Sequence, residues 1–127
     1  MAANRILVIR GGAIGDFILT LPVLRAIKDA FPQAEVEILG YPNIASLAEA
    51  AGLVARSRPI EAQALAGFFA RNGELNDAWS NYFSSFGIVI SFLYDPDMIF
   101  QTNILRCGPT QFIQGPHRPN ESNPTHA

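Results

Sequence analysis

The residues best placed to do chemistry lie in one short turn, Arg10-Gly11-Gly12-Ala13-Ile14-Gly15-Asp16, between an apolar run and a helix-like stretch. Small residues let a ligand approach the backbone closely, and the free N–H groups of a helix start attract anions or hydroxyl oxygens. The turn lacks both common phosphate-binding signatures. A dinucleotide fingerprint needs glycine at position 10, where Arg10 stands, and a P-loop needs Lys after its last glycine, where Asp16 stands. Asp16 has two readings that are compatible: an N-cap of the following helix, or a general base at the mouth of a βα unit. Arg10 is either an anion contact for phosphate or carboxylate, or the ion-pair partner of Asp16 or Asp95.

A second group is Tyr94-Asp95-Pro96-Asp97. Asp95 and Asp97 have the spacing of a metal pair, but also that of turn initiation and helix capping. Tyr94 and Asp95 are candidates for binding acceptor hydroxyls. Thr20 lies one turn beyond Asp16 and is a further candidate, although a hydroxyl inside a helix usually bonds its own backbone. Asn43 reads as a cap and Cys107, before Gly108, as a structural thiol. His117 and His126 sit in a Pro-rich tail and read as solvent-exposed.

These groups need elements to position them. Ile6 to Ile9 is a continuous apolar run, as in a strand buried on both faces of a parallel sheet. A helix over 16–31 carries Phe17, Leu21, Leu24 and Phe31 at helical spacing, flanked by Ile18 and Ile27. Pro22 inside it should kink the helix or restart it, and Pro32 ends it. A second strand is expected over 34–40, a short helix from Pro42 closed by Gly52, and a weak third strand over 53–60. Helices follow over 61–71 and 74–86. The second puts Trp79, Tyr82, Phe83 and Phe86 on one stripe, read as core or as a lip for a sugar or apolar face. A fourth strand over 88–93, a helix over 96–107 and a short fifth strand over 110–114 complete the rhythm. The expected fold is α/β, a Rossmann-like parallel sheet with helices on both faces. Residues 1–114 form the domain, and 115–127 (GPHRPNESNPTHA) read as a linker.

Bulk properties narrow the class. The chain has 127 residues, enough for one domain with a core. Charged residues are 16%, low against roughly 25% for an average globular domain, so part of the surface is expected to be apolar and covered by another domain or subunit. Net charge is −2 with no Lys/Arg block, which argues against nucleic acid as a partner. The single Cys excludes an intrachain disulfide and fits a reducing compartment. The first residues do not read as a signal peptide, and no stretch reaches the roughly 20 apolar residues of a membrane span.

The run IRGGAIGDFILTLPVLRAIKDAFPQAEV resembles the opening of glycosyltransferase family 9, the heptosyltransferase family of lipopolysaccharide assembly. The shared features are the apolar strand Ile6–Ile9, the basic Arg10, small residues, the Gly15-Asp16 pair, and Thr20-Leu21-Pro22-Val23-Leu24. The resemblance is clearest over residues 5–40. It implies the N-terminal half of a GT-B fold, in which this domain takes the sugar acceptor and a C-terminal domain, without counterpart here, takes the donor. It implies Asp16 as base, Gly11, Gly12 and Gly15 as the loop, and no bound metal. The chain itself is expected to bind no cofactor, with an ADP-heptose-like nucleotide-sugar as donor of the whole enzyme. The acceptor would be a glycan or lipid-linked sugar, met in the cytoplasm at the inner face of the membrane. A bare interdomain face would favour self-association. Two alternatives remain: a stand-alone module binding an anion or sugar, and a truncated fragment without catalytic function.

Overall fold

The computed structural model describes residues 5–11, 14–41, 48–60, 63–108 and 111–115, with 14–20 described as backbone. The chain alternates strands and helices: β1 (Arg5–Arg10), α1 (Ile14–Ala30), β2 (Glu35–Gly40), β3 (Arg56–Pro59), a 3-10 helix (Gln63–Phe69), α2 (Asp77–Ser84), β4 (Ile88–Ser91), α3 (Ile99–Arg106) and β5 (Gln111–Gln114). The strands form one sheet in the order β3-β2-β1-β4-β5, and every pairing is parallel. This is the Rossmann-like α/β architecture expected from the sequence.

Side-chain alternation along β1 feeds two cores. Ile6 and Val8 join Val36, Ile38, Leu24 and Ile27 on the α1 face. Leu7 and Ile9 join Leu39, Val89, Phe83, Phe100 and Ile104 on the opposite face, under α2 and α3. The run Ile6–Ile9 is at most 2% exposed, which is why it carries no polar residue. Burying each such side chain stabilises the fold by roughly 1.5–3 kcal/mol. The stripe Trp79, Tyr82, Phe83 and Phe86 belongs to the second core, with Phe83 meeting Phe68 edge-on at 5.1 Å between centroids.

Several elements differ from the sequence reading. α1 runs unbroken through Pro22, which is exposed, so the proline takes no place in the core. Phe31 lies beyond the helix end and is 50% exposed, so Leu24 and Ile27 are the core contacts. The helix expected over 61–71 is the 3-10 helix Gln63–Phe69. Gly67 is the reason: a Cβ there would sit 1.9 Å from the carbonyl oxygen of Glu74, so the chain folds back on itself at this point. α2 starts at Asp77, where Asn76 Oδ1 accepts the Trp79 N–H at 3.0 Å. The third strand is shorter than expected, Arg56–Pro59, and its neighbour Leu53 instead closes the preceding helical turn. There the Leu53 N–H donates to Ala48 and the Gly52 N–H to Glu49, with Gly52 at φ +73°. The start of that helix, including Asn43, lies outside the described residues.

One buried charge is absent from the sequence reading. Glu37, within β2, is fully buried. Arg5 Nη2 meets its Oε2 at 2.6 Å, and the Tyr82 hydroxyl donates to its Oε1 at 3.0 Å. Arg5 also donates to Ser85 and stacks over Phe86 at 4.3 Å, while Arg58 lies 4.6 Å over the Tyr82 ring. Burial first, and then the Glu37 carboxylate, push the Tyr82 phenol pKa well above its ordinary value. An unfolded chain loses that proton from about pH 10, before the folded one does. Stability from this group is therefore complete below about pH 10 and drains away above it. We expect Tyr82→Phe to flatten the alkaline decline, read as the urea midpoint measured between about pH 9 and about pH 11.

Candidate functional site

The strand order locates a crevice before any side chain is considered. The chain builds β1, β2 and β3 outward in one direction, then crosses to place β4 and β5 on the other side of β1. In open parallel sheets, ligands bind outside the carboxyl ends of the strands where that reversal occurs. Here the point lies between β1 and β4, whose ends pair as Ile9 with Ser91. Gly11, which follows β1, therefore stands beside the segment 92–97 that follows β4.

The backbone of that edge is firmly tied. The Phe92 N–H donates to the Ile9 carbonyl at 2.9 Å, and the Leu93 N–H to Ser91 Oγ at 3.2 Å. Gln114, at the end of β5, donates through Nε2 to the carbonyls of Ser91 and Leu93 at 3.1 and 2.9 Å. Gly11 is hemmed in: a Cβ there would lie 3.3 Å from Leu93 Cδ2 and 4.0 Å from Tyr41 Cε2. Gly11 is thus walled by side chains that lie just beyond the ends of β2 and β4.

The structure separates the candidate residues. α1 begins at Ile14, so Gly15 and Asp16 are its second and third residues rather than its cap. A carboxylate at the third position faces the positive end of the helix. Thr20 follows four residues later on the same helix face. The side chains of Asp16 and Thr20 lie outside the described residues, as do Gly12, His117 and His126.

Arg10 is not on the open edge. Its side chain is 5% exposed, with the guanidinium 5.5 Å from the Phe92 ring centroid and Nη1 3.5 Å from the Phe92 carbonyl oxygen. The even-numbered positions of β1 face α1, and that alternation carries Arg10 inward under the helix.

Asp95 is a helix cap. Its Oδ1 accepts the Phe100 N–H at 3.1 Å and its Oδ2 accepts the Gln101 N–H at 2.9 Å. Its carbonyl also accepts the Met98 N–H at 3.0 Å. This arrangement delays α3 to Ile99, three residues later than the sequence suggests, with Met98 in the left-handed region at φ +58°. We expect Asp95→Ala to destabilise the fold by about 1–2 kcal/mol through loss of the cap. Thermal unfolding measures this, and an unchanged midpoint would contradict it.

Tyr94 is 69% exposed at the edge. Cys107 is partly buried and its thiol donates to the Asn103 carbonyl at 3.4 Å, a packed structural role. Asn103, which the sequence reading passed over, is 2% exposed and donates to the carbonyls of Phe68 and Ala70 at 2.9 and 3.0 Å. It ties the 3-10 helix to α3. The available signal was a polar residue between Phe100 and Ile104 on a buried stripe.

Phe69 was also missed. It stacks on Phe100 at 5.0 Å and 13°, yet is 47% exposed. Together with Leu93, Tyr94, Pro96 and Asp97 it lines a cavity of about 200 Å3 at the crevice. Among the described residues no group of three His, Cys, Asp or Glu side chains is placed to hold a metal ion. Among them, too, no helix is long and apolar enough to cross a membrane.

Comparison with protein-family models and with curated proteins finds no match. Among solved structures, the chain is similar to the crystal structure of the glycosyl transferase family 9 from Veillonella parvula DSM 2008, with a TM-score of 0.61 and 15% identity over 90% of this chain. The chain spans a third of the length of that structure. It therefore shares its fold with part of a family 9 glycosyl transferase, the same family that residues 5–40 resemble in sequence.

Proposed function

We propose that this chain is the N-terminal, acceptor-side domain of a glycosyltransferase that takes its sugar from a nucleotide-sugar. The observation that carries the reading is the juxtaposition of the Gly-rich turn, the Asp16 helix start and segment 92–97 at the reversal of strand order. Exposed apolar side chains at or near this edge, Tyr41, Phe69, Tyr94 and Met98, support it, since a face of this kind is covered by a ligand or a second lobe.

In this mechanism Asp16 accepts the proton of an acceptor hydroxyl. The freed oxygen attacks the anomeric carbon of the donor, and the nucleotide diphosphate leaves with the electrons of the broken C–O bond. The helix start orients the carboxylate, and Gly11, Gly12 and Gly15 leave room for the acceptor. Arg10 acts from beneath the edge, as a buried positive charge that favours an ionised carboxylate or an acidic acceptor nearby. On this reading residues 1–114 form the domain, 115–127 are a Pro-rich linker, and a C-terminal lobe holds the donor. We take the sugar to be a heptose and the acceptor a lipopolysaccharide-type glycan, used in the cytoplasm at the inner membrane face.

The test is an assay of the polypeptide expressed from its gene with any in-frame sequence that follows residue 127. It is incubated with labelled nucleotide-sugars, ADP-heptose among them, and lipid-linked glycan acceptors. Label in the glycan supports the reading. Binding of sugar or anion without any transfer would favour a stand-alone binding module instead.

A further inference from the structure

The cavity beside the crevice has a composition that the roles given to Asp16 and the glycine turn do not explain. One face of Phe69 is covered by Phe100 and the ring remains 47% exposed, which makes it a flat platform rather than a wall of the core. Tyr94, 69% exposed, stands with it around a space of about 200 Å3. Asp97 lies at the rim of this space and of a second, adjoining cavity lined by Arg71, Asn72 and Thr102. Its neighbour Asp95 spends both oxygens on N–H groups of α3, whereas Asp97 is exposed and, among the described residues, has neither hydrogen bond nor ion pair.

A sugar ring presents an apolar C–H face and a rim of hydroxyl donors. A flat aromatic ring fits the first, and a carboxylate with open lone pairs fits the second. We infer that Phe69, Tyr94 and Asp97 form a subsite for one pyranose ring of a glycan, with Phe69 under the ring face and Asp97 accepting from its hydroxyls. The choice of a sugar rests on the transferase reading. The subsite places the acceptor against Leu93, the side chain that also walls Gly11, so a glycan held here extends toward the turn that leads into α1. A single platform, with its other face covered by Phe100, suits a flat ring better than the surrounding cage of rings that a quaternary ammonium takes.

The experiment is a titration of the isotope-labelled chain with a panel of methyl glycopyranosides, followed by amide chemical shifts, with tetramethylammonium as a separate arm. We expect shifts at Phe69, Tyr94, Asp97 and Ile99 for at least one glycoside. Asp97→Asn weakens that binding about tenfold or more, because a charge-assisted acceptor is lost. The substitution is expected to leave folding intact, since Asp97 is exposed and has no partner among the described residues. Phe69→Leu, which keeps an apolar side chain but removes the platform, weakens it as well. The inference is overturned if no glycoside moves these amides, if Asp97→Asn binds as tightly as the parent, or if tetramethylammonium occupies the cavity more tightly than every glycoside. Shifts confined to Gly11 and Ile14 also overturn it while leaving the transferase reading in place. That reading fails on a different result, no label passing from any nucleotide-sugar to a glycan acceptor.

Discussion

If the proposed transferase mechanism holds, we expect Asp16→Asn to lower sugar transfer by roughly 100- to 10,000-fold, the usual contribution of a positioned general base. The loss falls on kcat, because an amide of the same shape keeps the acceptor contacts but takes up no proton. Binding of the acceptor, read as KM, changes little. The placement behind this expectation is a backbone one: α1 starts at Ile14, and Asp16 is the third residue of its first turn beside the end of β1. The positive end of a helix favours an ionised carboxylate in its first turn. A steady-state comparison of the two proteins measures the effect. Transfer within a few-fold of the parent would remove Asp16 from the mechanism and leave it a helix-start residue.

Glu37→Ala destabilises the fold by about 3–5 kcal/mol, the cost of removing one partner of a buried ion pair. The carboxylate is fully buried, and its loss takes the acceptor from the Tyr82 hydroxyl and one of the acceptors, beside Ser85 and Glu35, from the Arg5 guanidinium. Total stability of a domain this size is about 5–15 kcal/mol, so the variant should melt roughly 15 °C or more below the parent. Thermal unfolding followed by circular dichroism reads the shift. An unchanged midpoint would mean that Arg5 transfers to Glu35, whose Oε1 already lies 3.7 Å from Arg5 Nε. Arg5 opens β1 and Arg10 closes it, so this network sits roughly 17 Å from the carboxyl edge at the rise of a strand. Glu37 therefore tests what holds the sheet together without touching the crevice.

How far the sequence revealed this molecule depends on which physical signal was local. The first strand was legible because Ile6–Ile9 is buried on both faces and has no polar position to obscure it. The alternation of strands and helices was legible for the same reason, and with it the parallel sheet. Glu37 was not, because Val36 and Ile38 flanking a Glu look like an ordinary half-buried strand. The partner that makes its burial tolerable, Tyr82, is 45 residues away. The 3-10 helix was missed because the close approach of Gly67 to Glu74 is a tertiary contact. Pro22, expected to kink or restart the helix, lies on the solvent side of one unbroken helix held by Leu24 and Ile27.

At the site, spacing alone could not rank Asp95 against Asp97. The sequence offers both as caps or as a metal pair and names only Asp95, with Tyr94, as a hydroxyl binder; the hydrogen bonds of Asp95 to Phe100 and Gln101 give it the capping role. Arg10 ends β1, as the sequence shows, and its burial beside Phe92 was not legible, because alternation along β1 turns it toward the α1 face. Phe69 carried no signal, since an aromatic in Gly-Phe-Phe gives no indication of which ring faces the core. The chain answers that by burying Phe68 completely and leaving Phe69 half exposed.

The most direct test of the central claim is an experimental structure of the protein with a glycan acceptor bound. The account predicts the sugar at the carboxyl ends of β1 and β4, with an Asp16 carboxylate oxygen about 2.6–3.2 Å from one acceptor hydroxyl. An Asp16 side chain folded back onto the N–H groups of α1, with the glycan bound away from that edge, would contradict it.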